Sequence, residues 1–293
     1  MRIILTGATG YIASILVKKL VENNNDVWCT ARKTSDVSKL ESVECELLYT
    51  DYLEGLYEEL KDINPEMVIH LAGVFLSQHG KDNIRNMVES NIVFPTILFD
   101  AAYEAGCRYF INTGTYWQNF EGEAYNPVNL YAATKESIEN ILKYYIKAKS
   151  VKGITLTIFD SYGPKDTRNK VLNIVSRLTE GECIGMSGGE QKMYLCYIDD
   201  IVDAYLHAIK LIQEYRDGEY HKYAVRGEES HSLKEIIRLY LKESNKNIVV
   251  KWGEREYRKR EIMDPSNWGE IMPGWKAKIS LEEGMKLYIG KEK

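Results

Sequence analysis

What the chain has little of narrows its function first. Its five cysteines are odd in number, widely scattered and never spaced as CxxC. That pattern excludes a disulfide framework and a cysteine-rich zinc site, and fits buried thiols in a reducing compartment. The five histidines (His70, His79, His207, His221 and His231) show no metal-ligand spacing, so no metal is expected. No basic tract interrupts a formal net charge of −5, which argues against nucleic acid as a partner. Long apolar runs are missing too. The segment after Met1 holds one Arg and a short apolar stretch before Thr6, and no later run reaches the length of a membrane span. A cytoplasmic protein that neither crosses nor binds a membrane is the expectation. Internal repeats and low-complexity linkers are also absent, and 293 residues suffice for one large or two modest domains with a true core.

What is present is organised around the first stretch. Ile3, Ile4 and Leu5 form an apolar run without polar alternation, the pattern of a parallel strand buried on both faces. Thr6 to Gly10 is too rich in glycine to continue it, and from Tyr11 the spacing of Ile12, Ile15, Leu16 and Leu20 is helical. Strand, glycine turn and helix in that order make a dinucleotide site. Gly7 suits the turn, Gly10 admits main chain beside a pyrophosphate at the helix N-terminus, and Ala13 is the third small position. A plain glycine turn in an α/β protein is the blander reading of the same residues.

Strand and helix patterns then alternate. Val27–Ala31, Glu46–Tyr49, Met67–Leu71, Arg108–Thr113 and Ile154–Phe159 read as strands; 53–60, 87–105, 128–149 and 198–212 read as helices. Such alternation predicts right-handed βαβ units and a doubly wound parallel α/β sheet of the Rossmann type. The second strand ends Cys29-Thr30-Ala31-Arg32-Lys33, with Ala31 where an NAD-binding fold usually has an acid. Arg32 would suit a 2′-phosphate, so NADP(H) is the expected cofactor, a solvated basic loop being the plain alternative. Asp51 could accept from an adenine amino group. Leu71-Ala72-Gly73 would let main chain pass beneath the cofactor, and His70 reads as a packed core histidine.

The chemistry sits in two further pieces. Thr113-Gly114-Thr115-Tyr116-Trp117 closes the fifth strand at its carboxyl end, the edge where open α/β sheets bind ligands. Tyr131 and Lys135 lie four apart at the start of a long helix and share a face. A free phenol titrates near ~10, and a neighbouring ammonium would bring it towards neutral pH. Thr113 would hold a substrate oxygen beside that phenol.

At these residues the chain resembles an extended short-chain dehydrogenase/reductase of the nucleotide-sugar-modifying branch, similar to 4-ketosugar reductases of the CDP-abequose and CDP-paratose synthase type. The resemblance rests on Thr6–Ala13, Asp51, His70–Ala72, Asn91, Thr113, Tyr131–Lys135, Tyr162-Gly163-Pro164, Asp199-Asp200 and Pro273–Lys276, and it spans the chain. It implies a catalytic triad of Thr113, Tyr131 and Lys135. It implies cofactor contacts at Gly7, Thr9, Gly10, Tyr11, Ile12, Arg32, Asp51, Tyr52, Leu71, Ala72, Gly73, Asn91, Tyr131, Lys135 and Tyr162, with Asn91 supporting the helix of the lysine. Substrate contacts are implied at Thr113, Thr115, Asp160, Arg168, Lys170, Lys192 and Arg258. Asp160 replaces the asparagine usual in the family, and Met193 replaces a phosphate-binding arginine for which Lys192 would substitute. Residues 1–164, rejoined by 193–218, would form the dinucleotide domain, and 165–192 with 219–293 a smaller α/β substrate domain.

The expected activity is NADPH-dependent reduction of the 4-keto group of a nucleotide-activated, CDP-linked deoxysugar for surface polysaccharides. Gly114-Thr115 stands where a 4,6-dehydratase would carry an Asp-Glu pair, which argues against dehydration. A 4-epimerase with tightly bound NAD and a non-catalytic dinucleotide sensor are the remaining alternatives. The helices 87–105 and 130–149 are apolar over too wide an arc for one buried face, and the resemblance implies that they pair with their copies in the four-helix bundle of a homodimer.

Overall fold

A computed structural model describes residues 1–265 and 268–290. Among these the strands are β1 (Arg2–Thr6), β2 (Asp26–Ala31), β3 (Glu46–Tyr49), β4 (Met67–His70), β5 (Tyr109–Thr115), β6 (Lys152–Ile158), β7 (Asp160–Tyr162), β8 (Cys183–Met186), β9 (Lys192–Met193), β10 (Leu195–Tyr197), β11 (Tyr220–Val225), β12 (His231–Ser232), β13 (Val249–Trp252) and β14 (Glu270–Ile271). The helices are α1 (Tyr11–Glu22), α2 (Leu56–Ile63), α3 (Ile84–Val88), α4 (Phe94–Glu104), α5 (Leu130–Lys149), α6 (Val171–Ser176), α7 (Ile198–Leu211), α8 (Leu233–Ser244) and α9 (Leu281–Gly290). None of them is long and apolar enough to cross a membrane.

Eight strands of the described residues form one parallel sheet in the order β14-β11-β6-β5-β4-β1-β2-β3. From β1 the chain first runs outward through β2 and β3, then returns to place β4 on the other side of β1. The gap between the ends of β1 and β4 is therefore a switch point, where open α/β sheets take ligands. Alternation sorts the strand residues between two cores: Ile3 and Leu5 join α1 and α7 on one face, while Ile4 joins α2, α4 and α5 on the other. This is the Rossmann-type fold that the alternating pattern predicts.

Three particulars differ from the reading of the sequence. The helix expected from Leu53 starts with a 3-10 turn, Leu53–Gly55, before α2. The one expected over 87–105 is α3 and α4 joined through a π-helical turn, Glu89–Val93, that holds Asn91. The main sheet also continues past residue 219, because β11 pairs with β6 and β14 with β11. Hydrogen bonding thus draws 220–225 and 270–271 into the larger layer, while α6, α8, α9 and the two-stranded pairs β9–β12 and β8–β13 stand outside it.

Candidate active site

The turn after β1 is shaped by main chain. Gly7 has φ +71°, and a Cβ there would stand 2.9 Å from the Ala72 amide nitrogen. The Gly10 amide donates to the Gly7 carbonyl at 2.8 Å, and α1 begins directly after it. Thr6 Oγ1 accepts from the Leu71 and Ala72 amides, each at 3.0 Å, and meets His70 Nδ1 at 2.9 Å. His70 is fully buried, as a core histidine should be. A close-walled cradle at a helix N-terminus fits the pyrophosphate of a nicotinamide dinucleotide.

The neighbouring residues are placed with less uniformity. Ala31 ends β2 buried, and Arg32 and Lys33 follow it exposed. Asp51 accepts the Lys33 amide at 2.9 Å, and Tyr52 beside it is 68% exposed. The Tyr11 hydroxyl donates to the Pro164 carbonyl at 3.1 Å. The ring of Tyr162 lies in the core, edge-on to Tyr197 and against Gly284 of α9, so its side chain is a packing residue.

On the other side of β4, Asn129 caps α5 by accepting the Ala132 amide at 2.9 Å, and its own amide donates to the carbonyls of Leu76 and Ser77. Asn91 bonds Val74 through both side-chain atoms and donates to Thr134 Oγ1 at 3.0 Å. It therefore ties the loop after β4 to the turn of α5 that carries Tyr131 and Lys135.

The electrostatics depart from expectation. Burial pushes the Tyr131 phenol up to about 12, and Arg168, not Lys135, is the cation that opposes the rise. Burial also drives Lys135 down to about 8, against the pull of Glu139. Desolvation disfavours both charged forms and outweighs their proximity on one helix face.

Thr113 also has a partner that the sequence pattern did not disclose. Its Oγ1 lies 2.7 Å from the hydroxyl of Tyr205, a fully buried residue of α7. Thr115, two residues on and so on the same face of β5, takes only a 3.4 Å bond from the Trp117 amide on its hydroxyl.

The expected sugar contacts fall into two groups. Asp160 accepts from the Tyr116 hydroxyl at 2.9 Å and lies 3.9 Å from Lys170 Nζ. Tyr116 stacks on Phe159 with ring centroids 4.8 Å apart. Arg258 covers the ring of Trp117 at 4.9 Å while pairing with Glu261 at 2.7 Å. Phe75, which is 56% exposed, meets Trp117 and stands edge-on to Tyr131 with centroids 4.9 Å apart. These contacts join Tyr131, Trp117 and Arg258 in one wall. Arg168 and Lys192 are otherwise engaged. The Arg168 guanidinium forks onto buried Asp166 at 2.7 and 2.8 Å and covers the ring of Tyr11, and Lys192 pairs with Asp264 at 3.0 Å.

Phe75, Trp117, Tyr116 and Tyr205 were not singled out as site residues from the sequence. Tyr205 had a signal of burial, since it continues the stripe of Ile198, Ile201 and Val202 on α7. Nothing in that stripe marks its hydroxyl as the partner of a strand-end threonine.

Comparison with known proteins bears on what such a site does. A family model described as the NAD dependent epimerase/dehydratase family matches residues 3–224. A CDP-abequose synthase of Yersinia pseudotuberculosis is 34% identical over 271 residues, which cover 90% of this chain and 92% of that protein. Among solved structures, the UDP-glucose 4-epimerase of Thermotoga maritima with UDP-glucose superposes with TM-score 0.82 at 25% identity, covering 99% of this chain and 98% of the other. The UDP-glucuronic acid 4-epimerase of Bacillus cereus, in complex with UDP-glucuronic acid and NAD, gives TM-score 0.82 at 21% identity, with coverages of 99% and 98%, and so shares the fold.

Proposed function

The chain belongs to the NAD dependent epimerase/dehydratase family, a group of extended short-chain dehydrogenases that use a nicotinamide dinucleotide to modify nucleotide sugars, and from that premise we propose that it reduces the 4-keto group of a CDP-linked 6-deoxy or 3,6-dideoxy sugar with NADPH. The observation that carries this reading is the 34% identity to a CDP-abequose synthase over 90% of the chain. Burial raises the Tyr131 phenol, so the proton a reductase must donate is held there at neutral pH.

In the proposed site Gly7, Gly10 and the start of α1 hold the pyrophosphate, Leu71–Gly73 line the path beneath it, and Arg32 meets a 2′-phosphate. The bound dinucleotide supplies the hydride. Tyr131 donates its proton to the carbonyl oxygen as negative charge develops there, and a strand-end hydroxyl, Thr113 or Thr115, holds that oxygen by hydrogen bond. Lys135 would hold the nicotinamide ribose, and Arg168 is the cation that favours the phenolate donation leaves behind. Asp160 and Lys170 meet the sugar hydroxyls, and Arg258 meets the diphosphate. The lobe outside the main sheet holds the nucleotide. Val93, in the π-helical turn before α4, and Tyr144 on α5, 40% and 56% exposed, would be covered by a second copy in a homodimer.

Incubation with NADPH or NADH and a panel of 4-keto sugar nucleotides, followed at 340 nm with identification of the product, tests the reading. Loss of absorbance with a CDP-4-keto-deoxysugar is expected. Interconversion of 4-hydroxy epimers by tightly held NAD, without net consumption of NADPH, would replace reduction by epimerisation.

A further inference from the structure

Beneath the helix face of Tyr131 and Lys135 lies a group of buried charges that the proposed chemistry does not use. Glu139 is fully buried four residues after Lys135, on the same face of α5. Its carboxylate takes Lys222 Nζ from β11 at 2.7 Å, Lys143 Nζ at 2.8 Å, the Tyr220 hydroxyl at 2.9 Å and Gln118 Nε2 at 2.8 Å. Gln118 also donates to buried Glu136 at 2.6 Å, and its Oε1 accepts the Thr115 amide at 2.8 Å. Glu136 stands 3.8 Å from Lys222 Nζ. An unbroken polar path therefore runs from β11 through α5 to the last residue of β5.

Such a group is costly to bury and stays intact only when every member is partnered. Burial alone would raise the Glu139 carboxyl, but Lys222 and Lys143 outweigh it and hold the group below the usual carboxylate range, hence ionised. Glu139 is also the charge that opposes the fall of Lys135 towards neutrality. Of the other titratable groups around Lys135, Tyr131 is protonated, and His70 on β4 is neutral because burial and Lys135 hold it well below its ordinary value.

We propose that Glu139 is a positioning residue of the active site: it places a buried carboxylate one helical turn from Lys135 and, through Gln118, fixes the Thr115 end of β5 to the helix that carries Tyr131. The inference rests on the roles given above to Tyr131 and Lys135. Its direction follows from the signs. Removing the Glu139 charge removes what opposes desolvation, so Lys135 loses its proton at lower pH, and activity that needs the ammonium fails at lower pH as well.

The test is Glu139→Gln, read by 15N NMR titration of Lys135 Nζ in the unliganded protein and by the pH profile of kcat. Both the Nζ midpoint and the alkaline limb should move down by about one unit, a roughly tenfold loss of kcat on the alkaline side. Because Gln would leave Lys222 unpaired and could unfold the protein, Glu139→Gln/Lys222→Met is made beside it. Removing both charges should restore the melting temperature without restoring the Nζ midpoint. An unchanged midpoint in a folded variant of either kind would overturn the proposal. Absence of ketosugar turnover by the unmutated enzyme would instead remove the functional reading, while the Nζ titration still decides the role of Glu139.

Discussion

Around the end of β1, the residues that suit a dinucleotide are Gly7, Gly10 and Leu71–Gly73, and what they contribute is main-chain shape. Around the ends of β5 and β6, Tyr116, Trp117, Phe159, Asp160 and Arg258 contribute ring faces and charges. The first set depends on one turn and the strand beside it. The second is assembled from segments as distant as Phe75 and Arg258, each oriented by another member of the set. A backbone cradle serves any dinucleotide, so the discriminating chemistry of this protein has to reside in the side-chain wall and in the groups that charge it.

That contrast can be broken experimentally, because changes on one side should leave the other side's constants alone. The largest effect is expected from Tyr131→Phe, which keeps the ring's packing and removes the proton. Turnover should fall by about 10²–10⁴-fold while NADPH affinity, measured by fluorescence titration, stays within a factor of two or so. Near-normal kcat in a folded mutant would refute the assigned proton donor.

Gly7→Ala attacks the other side. A side chain at φ +71° is strained by roughly 1–3 kcal/mol, and its Cβ meets the Ala72 amide. Dinucleotide Kd should rise about tenfold or more and Tm should fall, both measurable by calorimetry. Unaltered binding would mean that the turn does not form the cradle. Arg32→Ala should erase the preference for NADPH over NADH, since one charge-assisted contact is worth roughly 1.5–3 kcal/mol, or about 10–100-fold. Equal affinities before mutation would leave Arg32 a solvated surface cation.

The smaller effects separate the two threonines of β5. Thr113 already shares a hydrogen bond with Tyr205, whereas the Thr115 hydroxyl holds only a long one. Thr115→Val should therefore lower kcat more than Thr113→Val, by roughly 10–100-fold against 3–10-fold. The reverse order in single-turnover kinetics would return the substrate oxygen to Thr113. Tyr116→Phe, which leaves Asp160 without a phenol donor, should raise KM for the sugar nucleotide about fivefold and leave NADPH affinity untouched.

Much of this protein was legible without coordinates. Strand–glycine–helix order at Ile3–Leu20, the alternation through β6 and the four-residue spacing of Tyr131 and Lys135 are local patterns, and local backbone preference with burial of apolar faces decides them. They determined the parallel sheet, the glycine turn before α1 and the shared helix face. The larger departures involve long range. The sheet's extension to β11 and β14 depends on a hydrogen-bonding edge of β6 that no periodicity announces. Tyr205 reaches Thr113 across 92 residues, and the ring of Tyr11 lies under Arg168 from the far end of the glycine turn. Most of all, the direction of the shifts was decided by tertiary burial. Sequence spacing puts Tyr131 near a cation, but only the packed interior, by removing water from both, holds the phenol above its ordinary value and the lysine below its own.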